Sequence, residues 1–158
     1  LKRLPAFEKA LKDADPAGLH SFARFLARIF DHHRHVEDDV LLPVLMKHLD
    51  QEGTPAAHGI VSRPQEDTHW SEFQGQIREE VVSLRTEHEW LAKVLAKFSV
   101  LLESPTEEEE LRATGRRLAE LLRSHLAAEI DRFYPITERL LTDAEKQGLR
   151  IKMAERRR

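Results

Sequence analysis

Two segments of the chain carry a histidine and a glutamate four positions apart. His33 is followed by Glu37, and His125 is followed by Glu129. Residues at this spacing on an α-helix lie about 40° apart around the axis and roughly 6 Å apart along it. Each pair would therefore point to the same side of its helix and could bind one metal ion, or two ions a few ångströms apart. Imidazole with carboxylate suits iron, manganese or zinc.

The two segments look like copies of each other. The histidines at 33 and 125, the glutamates at 37 and 129 and the prolines at 43 and 135 are each 92 positions apart. An internal duplication would leave such a repeat. Asp39 and Asp131 repeat at the same distance, but six residues after the histidine an α-helix points away from it, so we expect both to be solvated or bonded to other helices.

A fifth candidate ligand, His88, lies between the two segments. A lone histidine on an apolar face is more often a hydrogen-bonded core residue than a ligand. With the two pairs it would give five ligands from three helices. The alternative without a metal is that the two His–Glu pairs are buried and hydrogen-bonded and serve only the stability of the fold. In either case the glutamates need a partner, because burying a carboxylate without one costs several kcal/mol of folding free energy.

Helices must position these groups. Ala, Leu, Glu and Arg are plentiful and β-branched residues are scarce, a composition that favours helix. We predict helices over about 1–14, 15–49, 70–103, 105–140 and 143–156, with a loop over 50–69. Capping boxes at Ser104–Glu107 and Thr142–Glu145 would begin the last two. The predicted fold is all-α: one domain over 1–158, an up-down-up-down four-helix bundle with a short C-terminal helix.

The short first segment and the three long helices each have an apolar face with helical periodicity. These faces comprise Leu1, Leu4, Phe7 and Leu11; Phe22, Leu26, Phe30, Val40 and Val44; Ile77, Val81, Leu84, Leu91, Leu95, Phe98 and Leu102; and Leu111, Leu118, Leu122, Phe133, Ile136 and Leu140. The candidate ligands interrupt three of the faces near their middle. His32 and His35 would point away from this layer, and His20 and His48 would lie about 20 Å along the helix from it.

Composition excludes several classes of function. The chain has no cysteine, which rules out disulfides, thiolate metal sites and cysteine nucleophiles. Its net charge of −3 argues against nucleic-acid binding. No apolar run is long enough for a membrane span and no signal-peptide pattern opens the chain, so we predict a cytoplasmic protein. The sequence leaves homodimer formation open.

Three segments together resemble a known family. The strings HHRHVEDDVLLP at 32–43, EHEWL at 87–91 and HLAAEIDRFYP at 125–135 resemble the hemerythrin-like, or HHE cation-binding, domain, and the resemblance extends over essentially the whole chain. It implies an oxo- or hydroxo-bridged di-iron centre that binds O2 or a related molecule such as NO or peroxide, with zinc or manganese as substitutes. The implied ligands are His33, Glu37, His88, His125 and Glu129, with both glutamates bridging the irons.

The chain departs from the family pattern in its first helix. The family offers a further histidine there, and residues 1–14 have none. We expect that histidine just upstream of Leu1, or else a weakened iron position, or a replacement by His58 or His69 from the loop. Two competing functions stay open: a di-iron oxidase or peroxidase, and a metal-free regulatory bundle.

Overall fold

The computed structural model describes residues 2–50, 67–104 and 107–155, and side chains within 2–50, 70–104 and 107–152. All regular structure in these ranges is helical, which confirms the predicted all-α class. The α-helices are α1 (Leu4–Asp13), α2 (Pro16–Val36), α3 (Leu42–Asp50), α4 (Asp67–Leu102), α5 (Glu108–Ala128), α6 (Tyr134–Leu140) and α7 (Asp143–Glu155). A first π turn (Glu37–Leu41) joins α2 to α3, and a second (Glu129–Phe133) joins α5 to α6.

The residue contacts divide the chain into two compact units. Unit 1 comprises Leu1–Asp31 with Thr86–Ala127, and unit 2 comprises His32–Arg85 with Ala128–Arg158. Since α2, α4 and α5 cross these boundaries, each contributes residues to both units. Each unit has an apolar core of its own.

The core of unit 1 is built around an aromatic group. Phe7 of α1 stacks on Phe22 of α2 at 4.0 Å between ring centroids and meets the edge of Phe98 of α4 at 5.5 Å. Helix α1 ends because Ala14 adopts a left-handed conformation, with φ of 51°. The next N–H, of Asp15, then bonds to the carbonyl of Ala10 and closes the end of the helix.

The core of unit 2 includes residues of α3, α4 and α6 and Leu149 of α7. Helix α7 begins with the predicted capping box. The Thr142 N–H donates to Glu145 Oε2 at 2.9 Å, and the Glu145 N–H donates to Thr142 Oγ1 at 3.3 Å. Two N–H groups at the start of the helix are satisfied reciprocally, which fixes where α7 starts.

Most residues of the predicted apolar faces are buried, but one position in each segment beyond the glutamates differs from the prediction by one residue. In α3 the buried side chain is Leu45 rather than Val44, and in α6 it is Thr137 rather than Ile136. The two π turns account for this difference, because a π turn holds one residue more than an α-turn. In the first, the Leu42 N–H bonds to the carbonyl of Glu37, five residues back.

Several predicted boundaries also shift. Helix α4 begins at Asp67, three residues earlier than predicted, and Asp50 of the predicted loop is the last residue of α3. The remainder of that loop, 51–66, lies outside the described residues, as do Leu1, residues 105–106 and the predicted helix end at 156. Among the described helices, none combines the length and the apolar character that crossing a lipid bilayer would require.

Candidate metal centre

The five candidate ligands lie on helices and π turns whose buried faces are mostly apolar. In α4, for example, the buried residues Leu84 and Leu91 flank His88. Four of the five are almost completely buried, and the side chain of His33 is 25% exposed. The set comprises His33, Glu37, His88, His125 and Glu129. Titratable groups at such positions need a specific partner, because burial alone opposes their charged forms.

Within unit 2 the two glutamates meet one histidine. His33 Nε2 lies 2.8 Å from Glu129 Oε1 and 3.6 Å from Glu37 Oε2. The hydroxyl of Tyr134 donates to Glu37 Oε1 at 3.2 Å and to Glu129 Oε2 at 3.3 Å. Burial of the phenol and the charges of Glu37 and Glu129 raise the pKa of Tyr134 above its ordinary value. The hydroxyl therefore keeps its proton at neutral pH and remains a donor.

Within unit 1 the other two histidines are packed edge to face, with ring centroids 4.9 Å apart. Glu87 Oε2 lies 3.0 Å from Nδ1 of His125. Because an ionised carboxylate only accepts hydrogen bonds, this contact places the proton on Nδ1 and leaves Nε2 as the atom that can bind a metal. The edge of Phe30 covers His88 at 5.9 Å between centroids.

One potential ligand atom from each of the five residues lies within 4.8 Å of all the others. Nitrogen and oxygen ligands stand about 2.0–2.2 Å from a bound zinc ion, so donors on opposite sides of one ion are about 4–4.4 Å apart. The observed spread of up to 4.8 Å is slightly larger than this, which suits two adjacent ions, or one ion if the donors move closer by a few tenths of an ångström. Three imidazoles and two carboxylates suit iron, manganese or zinc. This buried His/Glu group could hold a metal ion.

The remaining histidines of the described part lie outside this group. His35 faces Asp39 at 3.5 Å with both side chains about half exposed, and His48 Nε2 bonds to Glu145 Oε1 at 2.6 Å. His20 lies 3.7 Å from Glu103. The two loop histidines considered as replacement ligands stay untested. Residue 58 and the side chain of residue 69 are outside the described part.

Sequence reasoning missed Glu87 and Tyr134. Glu87 precedes a candidate ligand directly, but nothing in one sequence says which histidine of another helix it faces. Tyr134 follows Glu129 by five residues, which a regular α-helix would turn about 140° away. The only available signal was Pro135, which lacks the N–H that an uninterrupted α-helix needs.

Comparison with known proteins adds no identification. No family model, curated protein or solved structure matches the chain. The hemerythrin-like resemblance therefore stays a prediction from the three sequence segments.

Proposed function

We propose that the chain is a hemerythrin-like protein that binds two non-haem irons and, through them, O2 or a related small molecule such as NO or peroxide. The ligands would be His33, Glu37, His88, His125 and Glu129. The observation that carries the proposal is the approach of donor atoms from all five residues to within 4.8 Å. In this proposal the four long helical segments form an up-down-up-down bundle in the cytoplasm, which carries, senses or stores its ligand.

The donor set is compatible with iron. It contains no sulfur, which argues against copper(I) and iron–sulfur clusters, and its mixture of imidazole and carboxylate is one that iron shares with manganese and zinc. The carboxylates of Glu37 and Glu129 would hold the ions together with the three imidazoles. Five residues leave coordination positions open, and a di-iron centre would supply redox-active ions with room there for a diatomic ligand.

The chain's own residues prepare this site in two ways. Glu87 holds the His125 ring through Nδ1 and so presents Nε2. The buried carboxylates of Glu37 and Glu129 carry like charges close together, which is unfavourable until a cation or a proton compensates for them. Metal binding would remove this repulsion.

A second candidate, a metal-free structural bundle, is favoured by one observation. His33 bonds directly to Glu129 at 2.8 Å, and His125 bonds to Glu87 at 3.0 Å. A protonated imidazole between the carboxylates would also balance part of their charge. In that case the same side chains would serve stability alone.

Metal loading distinguishes the two candidates. We would add Fe(II) anaerobically to the metal-free protein, remove the excess, admit air, and measure iron content, visible absorption and thermal stability. The proposal expects about two irons per chain and a charge-transfer band. If Tm is also measured before the excess is removed, free Fe(II) at 100 times the dissociation constant would add about 2.7 kcal/mol of stability, or roughly 5–10 °C in Tm at this chain length.

The matched variants are His125→Gln and His48→Gln. Both histidines bond to a glutamate, but only His125 belongs to the candidate centre. We expect His125→Gln to lose iron and the rise in Tm, while His48→Gln keeps both. Less than half an iron per chain in the unaltered protein, without a charge-transfer band or a rise in Tm, would refute the proposal and favour the metal-free bundle.

A further inference from the structure

The two copies of the His–Glu segment differ in the residue that follows the π turn. The first copy has Leu42 there and the second has Tyr134, the only tyrosine of the chain. Leu42 is completely buried in the core of unit 2. Tyr134 is 38% exposed, yet its hydroxyl reaches the buried carboxylates of Glu37 and Glu129. The tyrosine therefore makes a polar contact for which the first copy has no equivalent side chain.

The second π turn explains how Tyr134 reaches this position. The N–H of Tyr134 bonds to the carbonyl of Glu129, five residues back. The widened turn therefore brings the side chains of these two residues to the same side of the helix. In an uninterrupted α-helix the same two side chains would be about 140° apart. Pro135 favours the widened turn because it offers no N–H to an α-helical bond and its ring crowds the carbonyl four residues back.

The chemistry of the contact is that of one donor shared by two acceptors. A phenol has a single O–H, and its distances to the two carboxylate oxygens are nearly equal, 3.2 and 3.3 Å. A hydrogen bond of this kind restrains the rotation of a carboxylate and draws charge away from the oxygen that accepts it. The other oxygen of each glutamate faces His33 Nε2, at 2.8 Å for Glu129 and 3.6 Å for Glu37.

We propose that Tyr134 is a positioning residue whose hydroxyl holds the carboxylates of Glu37 and Glu129 in the arrangement that receives metal. This proposal rests on the proposed metal-binding function and names a residue that controls it. The hydroxyl acts through the two glutamates and is not itself a ligand.

The test removes only the hydroxyl, with Tyr134→Phe. We would titrate the metal-free protein with Co(II) and follow both the affinity and the visible d–d bands. We expect the dissociation constant to rise about tenfold or more, as loss of a hydrogen-bond partner of a ligand typically causes. The d–d bands should also move, since they report the arrangement of ligands around cobalt, which a merely structural contact would leave unchanged.

The single tyrosine permits a second readout. Tyrosine labelled with carbon-13 at the ring carbon that bears the oxygen gives one resonance for the whole chain, from Tyr134. Diamagnetic Zn(II) should shift this resonance in the unaltered protein, because the ion changes the charge on both acceptors. The control variant is Ser99→Ala, which removes a hydroxyl that donates to the carbonyl of Leu95 in its own helix. It should bind Co(II) as the unaltered protein does.

Each outcome decides between the proposals. If Tyr134→Phe binds Co(II) with unchanged affinity and bands, or if Zn(II) binds without moving the labelled resonance, the positioning role is wrong and the metal site stands. If the unaltered protein binds neither metal, the proposed function and the positioning role both fall.

Discussion

Glu87 contacts the candidate centre without belonging to the predicted ligand set. It is 28% exposed, its carboxylate lies 3.0 Å from Nδ1 of His125, and it neighbours His88 in α4. A ligand histidine whose other nitrogen is held by a carboxylate keeps its orientation and tautomer, and such partners commonly contribute ten- to a hundredfold in metal affinity. Glu87 can therefore affect metal affinity by orienting His125, without binding the metal itself.

We predict that Glu87→Ala weakens binding of Zn(II) about tenfold and leaves the number of ions bound unchanged. The His125 ring loses the acceptor that fixes its tautomer, but all five ligands remain. Calorimetric titration gives both quantities. Glu89→Ala is the matched control, since Glu89 is an exposed residue of the same helix whose ion-pair contact is with Lys93. Equal weakening in both variants would contradict the specific role of Glu87.

At the residue scale, spacing was enough to select the two His–Glu pairs, because two residues four positions apart lie on the same side of one helix. His88 has no such partner and was added because it interrupts the apolar face of a third helix. Residue spacing did not predict which side chains contact those ligands. Glu87 faces a histidine 38 positions away, and Tyr134 depends on a local change of helix type. Both contacts are set by how helices pack and widen, which residue spacing does not encode.

Among the elements, α7 is held by a small polar network. Glu145 accepts bonds from the hydroxyl and N–H of Thr142, and His48 of α3 contacts it at 2.6 Å. Partial burial by itself raises the pKa of Glu145, but the bonds from Thr142 and the contact with His48 outweigh this effect and lower the pKa to about 2. The carboxylate thus both caps α7 and ties it to α3.

This network predicts a pH dependence of stability. In the unfolded chain the carboxyl group of Glu145 takes up a proton near pH 4.5, and in the folded chain near pH 2. Its contribution is therefore complete above pH 4.5 and is lost as the pH falls towards 2. We expect Glu145→Gln to lower Tm by about 2–4 °C at pH 7, the effect of a capping interaction of about 1 kcal/mol.

The diagnostic quantity is the difference in Tm between the variant and the unaltered protein, measured from pH 7 to pH 2.5. It should shrink steadily below pH 4.5. Glu79→Gln, at an exposed position of α4, should give no comparable difference at any pH. A difference for Glu145→Gln that stays constant down to pH 2.5 would contradict the prediction.

Helix positions followed from the period of apolar residues, and the capping box at Thr142 gave the start of α7 to the residue. The period of apolar residues did not predict the π turns. Periodicity assumes a constant helical twist, so it predicts Val44 and Ile136 on the buried faces where Leu45 and Thr137 are found. Pro43 and Pro135 indicate an interruption, but a proline can kink or end a helix as readily as widen it.

At the scale of the molecule, stability depends on how tightly each unit packs its apolar core. In unit 1 helix packing leaves no room at Gly115 of α5. A Cβ there would collide with Leu11 and approach Phe98 to 3.1 Å, and both side chains are buried. In α7, by contrast, a Cβ at Gly148 would meet no atom of the described structure within 4 Å.

These two glycines form a matched pair for a test of global stability. We predict that Gly115→Ala lowers the free energy of unfolding by about 1–2 kcal/mol, because overpacking outweighs the better helix propensity of alanine. Gly148→Ala should raise it by up to about 1 kcal/mol through propensity alone. Urea denaturation measures both changes. Stabilisation by both substitutions would show that the core of unit 1 is looser than described.

The matching π turns also bear on the history of the chain. Each holds one residue more than the α-turn it replaces. Both begin at the glutamate of their segment. If the two segments descend from one ancestral helix, a single widened turn present before the copying would account for both, and the difference between Leu42 and Tyr134 would have arisen afterwards.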